Sequence, residues 1–114
     1  MTDHKAIDCL VNVHFGETEQ QPSWMVKVRD DYFKGPASMF APVELSELID
    51  EMDEQGVQKA VLMDSIAKPS TTARKFVEAR PDRFALAMGG VNLLRPMPSL
   101  RELTAVVRDL PVVY

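Results

Sequence analysis

The feature that most constrains this chain is an apolar segment, Val57 to Met63, in which Ala60, Val61, Leu62 and Met63 run unbroken between two helix-period stretches. A strand that is apolar on both sides must be covered on both faces, which is the habit of a parallel sheet. Before it, Leu45, Leu48, Ile49 and Met52 recur at helical spacing between Pro42 and Gly56, so an amphipathic helix with a glycine stop precedes the strand. After it, Ser70, Thr71 and Thr72 offer N-caps to a short helix with Ala73, Phe76 and Val77 inward, and Pro81 forbids its continuation.

The same alternation extends in both directions. Residues 6 to 14 alternate at period two, with Ile7, Cys9, Val11 and Val13 on one side and Asp8, Leu10, Asn12 and His14 on the other. Residues 15–41 form a long connection holding Trp24, Tyr32, Phe33 and Phe40, and Ser23 to Phe33 suits a short helix. Phe84 to Met88 reads as a third strand. Ser99 and Glu102 have capping-box spacing ahead of a stripe of Leu100, Leu103, Val107 and Leu110, and Val112 to Tyr114 opens a fourth strand. Strand and helix in strict alternation call for a parallel sheet with right-handed crossovers. Two architectures begin this way, a doubly wound open sheet and a (β/α)8 barrel. A barrel ordinarily needs about 250 residues, so residues 1–114 read as a single incomplete domain of about three and a half units, the N-terminal part of something longer.

Composition narrows the function. With 17 acidic against 13 basic residues, the net charge of −4 leaves no basic face to neutralise phosphates, which argues against nucleic acid. No apolar run has the length of a membrane span and no secretory signal opens the chain. The single cysteine, Cys9, has no partner for an internal disulfide. A cytoplasmic protein is expected.

Several segments in order, IDCLVNVH at 7–14, LSELIDEMDEQGVQKAVLMD, ARPDRFALAMGGVNLLRP and the helix SLRELTAVVRDL, resemble the amidohydrolase-related metal-dependent hydrolases, a group that includes decarboxylases of the aminocarboxymuconate-semialdehyde type. RPDRF, followed by a strand and an S-L-x-E-L helix, is the most specific part. The resemblance spans nearly the whole chain and implies a TIM-type (β/α)8 barrel, a divalent metal, commonly zinc, and a small-molecule substrate. In that family the metal acts as Lewis acid and water activator in hydrolysis, or holds the substrate during decarboxylation. The first strand there ends I-D-x-H-x-H or I-D-x-D-x-H. Aligned on Ile7 and Asp8, the two ligand positions are Leu10 and Asn12. Leucine has no lone pair, and a neutral amide is a poor substitute for imidazole on zinc. The first-strand half of the metal site is thus lost, and this chain alone is expected to be inactive.

The candidate substrate-binding residues are Asn12, His14, Asp64, Asn92 and Trp24. His14 reads either as a displaced ligand or substrate contact, or as a polar residue where the strand opens into its loop. Asp8 points inward at the base of the barrel with an orienting role. Asp64 and Asn92 follow strands at the end where such sites are built, and a turn role suits them equally. Cys9 is expected to pack against helices. Trp24 and its aromatic neighbours read either as a lid or hydrophobic wall for an apolar substrate at the mouth, or as a satellite core or subunit contact. A non-catalytic binding protein on a degenerate scaffold is the alternative, associating through an open sheet edge or as a homo-oligomer.

Overall fold

The computed structural model describes residues 5–13 and 22–114. Its elements alternate as β1 (Ala6–Val11), α1 (Ser23–Lys27) continuing into wider π-type turns over Val28–Phe33, α2 (Leu45–Gln55), β2 (Val57–Ser65), α3 (Thr71–Ala79), β3 (Phe84–Gly89) and α4 (Pro96–Asp109). The sheet is parallel throughout, in the order β1-β2-β3. Val112 bridges Leu86 in the same direction, and the Leu86 and Met88 amides donate to the Pro111 and Tyr114 carbonyls. A short fourth parallel segment therefore extends β3's free edge.

The middle of the sheet is regular and dry. β2 and β3 pair residue for residue from Ala60/Phe84 to Ser65/Gly89. Ala60, Leu62, Phe84 and Leu86 join Met52 of α2 and Ala73, Phe76 and Val77 of α3 in one buried cluster. Both crossover helices thus cover the same face. Val61 and Ala87, on the other face, are buried as well, as the unbroken apolar run requires. α2 ends at Gly56 with φ 74°, a left-handed stop that costs glycine little. The RPDRF segment staples the strands' N-terminal ends. Arg80 forks onto Asp82, and Arg83 donates to Asp53 and to the Val57 and Gln58 carbonyls.

β1 departs from its sequence pattern. Its register on β2 slips between Ala6 and Ile7 and again between Asp8 and Val11. The second slip has a local cause: the Asp8 carboxylate accepts the Leu10 amide, competing with the ladder. The bulge reverses the faces. Asp8 comes to line a cleft against α2 together with Val11, so it points towards the helices, not into a barrel bore. Val11 and Val13 pack on the helix-side core, which leaves Leu10 and Asn12 on the opposite face by alternation. Cys9, expected to pack against helices, is exposed.

Two corrections concern α4. It starts at Pro96, with Arg95 as N-cap, so Ser99 is not a capping residue but a buried one on the helix's inner side. The buried stripe also differs from the expected one. Leu103, Val106 and Leu110 are partly buried, whereas Leu100 and Val107 are about half exposed.

The Tyr114 hydroxyl donates to the Cys9 carbonyl oxygen. In a flat sheet these chain segments would lie three strand spacings apart, about 14 Å, beyond the reach of one tyrosine. The sheet therefore curls enough to bring the Tyr114 side chain within reach of β1, while β1's outer edge stays unpaired.

Candidate functional site

Parallel sheets build their ligand sites beyond the carboxyl ends of their strands, which here means the loops after β2 and β3. Asp64 anchors the first of them. Its side chain is fully buried and accepts the Ser65 and Ser70 amides and the Arg74 Nε, each at 2.7 Å. Every contact is to its own loop or to α3, so Asp64 holds the turn and starts the helix. The Ser70 hydroxyl then caps α3 by accepting the Ala73 amide at 3.1 Å. Ser65 Oγ accepts the Ala67 and Lys68 amides and closes the turn.

The loop after β3 lies close against this one at Gly90. Its φ is +83°, and a Cβ there would sit 2.1 Å from Ser65 Oγ, so both the conformation and the space require glycine. Asn92 then turns the chain into α4. Its side-chain oxygen accepts the Leu94 amide, and its own amide donates to Ser99 Oγ at 3.0 Å.

Between the two loops lies a cleft of ≈ 340 Å³, lined by Ile66, Ala67, Gly90, Asn92, Arg95, Pro98, Ser99 and Glu102. It adjoins a second cleft of ≈ 380 Å³ lined by Ile66, Pro69, Arg74, Glu102, Ala105 and Val106. Ile66 and Glu102 border both, so the two form one groove along α4. Its inner row, Arg95, Ser99, Glu102 and Val106, follows helical spacing.

Of the sequence candidates, only Asn92 reaches this groove. Asp64 is spent on its own loop. Asn12 is exposed just past the end of β1 and Trp24 on α1, and neither borders the groove. Tyr32 and Phe33 stack edge to face, 5.0 Å apart, and are likewise exposed. His14 lies outside the described residues. The groove's charged residues, Arg74, Arg95 and Glu102, went unread because Ser99 and Glu102 were assigned to a helix start. The usable signal was Pro96 with Pro98, since prolines gather at first helical positions.

The residues at the first-strand ligand positions do not fit a zinc ion. Leu10 carries no donor, Asn12 offers only a neutral amide, and both are exposed, Leu10 on the edge strand and Asn12 just beyond it. Among the described residues, no three His, Cys, Asp or Glu side chains converge to hold a metal. Compared with known families, curated proteins and solved structures, the chain matches none. The residues therefore define an α/β chain with a groove at its strand ends, and the amidohydrolase resemblance rests on the segments quoted above.

Proposed function

We propose that this chain supplies the leading βα units of an amidohydrolase-related barrel, of the metal-dependent hydrolase or decarboxylase type. Its part in that barrel is to bind a small-molecule substrate at the mouth, through the loops after β2 and β3, without zinc ligands from the first strand. The observation that carries the reading is the strand order. The strands run β1-β2-β3 with the Val112 bridge next, both crossover helices lie on one face, and the sheet curls. A barrel wall grows in this sequential way, whereas a doubly wound sheet places its first strand in the interior of the order. Leu10 and Asn12, opposite the helix-covered face, stand where that barrel's bore would be.

Zinc titration with elemental analysis tests this. The purified chain is expected to retain no stoichiometric zinc. Leu10→His combined with Asn12→His puts two imidazoles on one strand face and is expected to tighten zinc binding by about tenfold or more. Stoichiometric zinc with metal-dependent hydrolysis in the unsubstituted chain, or no gain in the double variant, would overturn the reading.

A second reading, a non-catalytic interaction protein, is favoured by one observation. β1 has a single neighbour, and Ile7 and Leu10 are 58% and 66% exposed beside its open edge. Sedimentation of Leu10→Lys decides it: self-association that the lysine abolishes supports association through this edge, and a monomer before and after substitution excludes it.

A further inference from the structure

The groove along α4 carries opposite charges that are not used on each other. Arg95 and Glu102 border the same cleft, yet among the described residues neither has an ion pair with any partner. Seven helical positions separate them, about 10 Å along the axis, so their backbones cannot draw the two groups together. The first turn of α4 adds to the Arg95 end. Pro98 and Ser99 of that turn line the cleft, and its N-cap makes no side-chain hydrogen bond. A negative group is favoured at this end, and Glu102, two turns on, favours a positive one.

The rest of the groove is apolar. Ile66, Pro69, Ala105 and Val106 line its second half, and Arg74 closes the far end with its Nε already given to Asp64. The Asp64 carboxylate offsets the Arg74 charge. The uncompensated charges are therefore one cation at the α4 start and one anion in the middle, beside an apolar channel.

We propose that this groove binds a free amino acid as its zwitterion. The carboxylate sits at Arg95 and the start of α4, the ammonium at Glu102, and an apolar side chain lies along Ile66, Pro69, Ala105 and Val106. The proposal rests on reading the cleft as a ligand site. It is independent of the zinc experiment, which reports on β1. The ligand matches the groove in charge order as well as in net charge, and an analogue lacking either charge forgoes one of the two charge-assisted contacts.

The test is an amide NMR titration of the intact chain, following Asn92, Leu94 and Ser99, with L-leucine, leucinamide and 4-methylpentanoate. L-leucine is expected to give saturable shifts at millimolar concentration. Leucinamide, which lacks the carboxylate, and 4-methylpentanoate, which lacks the ammonium, are each expected to bind about tenfold more weakly or worse. Arg95→Ala and Glu102→Gln alter exposed side chains that support no part of the fold. The first is expected to lose L-leucine while leaving leucinamide unchanged, and the second to lose L-leucine while leaving 4-methylpentanoate unchanged. Absence of saturable shifts with L-leucine, or equal binding of the three probes, would overturn the proposal.

Discussion

β1 and β2 are neighbours with opposite fates. β1 has the cleaner alternation in sequence, yet it is bulged, slipped in register and exposed from Ala6 to Leu10. β2 shows no alternation where it matters, yet it pairs without interruption with β3 and buries Ala60, Val61 and Leu62. The difference lies in the neighbours. β2 is held from both sides and covered by two helices, so each residue's position is fixed several times over. β1 has one neighbour, and one carboxylate taking one amide is enough to displace it. Pattern strength alone does not secure a strand; the number of independent contacts does.

The contrast can be broken by substitution. Leu62 is completely buried, and Leu62→Ala is expected to cost about 2–5 kcal/mol. Leu10→Ala is expected to stay within about 0.5 kcal/mol. Urea unfolding of both variants checks this, and equal costs would mean that the two strands are equally anchored. Asp64→Ala removes the buried acceptor of two amides and a guanidinium and is expected to cost about 3 kcal/mol. The loss should show in the same assay, with amide exchange quickening around Ser65 and Ser70.

Gly90→Ala places a methyl group on Ser65 Oγ in a left-handed conformation and is expected to cost about 1–3 kcal/mol. Adding Ser65→Ala should recover part of this, which a double-mutant cycle measures. The smallest effect concerns pH. Hydrogen bonds from Arg80 hold the Asp82 carboxyl below its ordinary range. A depressed native pKa contributes stability above the unfolded value, near 3.9, and loses it as pH falls through the native one. Asp82→Asn should therefore unfold slightly earlier than the parent at neutral pH, the gap closing below pH about 4, in thermal scans.

Much of the fold was legible because its signals were local. The Gly56 stop, the Ser70 cap and the apolar run of β2 each depend on a few adjacent residues, and each is where the pattern put it. Ser99 was misread because capping-box spacing also fits a residue already one turn inside a helix, and only the position of Pro96 separates the two. The groove along α4 was less legible still. Arg74, Arg95 and Glu102 come from two helices far apart in sequence, and nothing in the spacing of either announces the other.

By itself, then, the order of residues determined the kinds of element, their alternation and the parallel sense of the sheet, since propensity, caps and periodicity act over a few positions. The tertiary structure alone decided which way Asp8 faces, that Asp64 serves its own loop, and which charged side chains border one groove along α4. Those outcomes depend on competition for hydrogen-bond partners and on contacts between distant segments, and both exist only once the chain has packed.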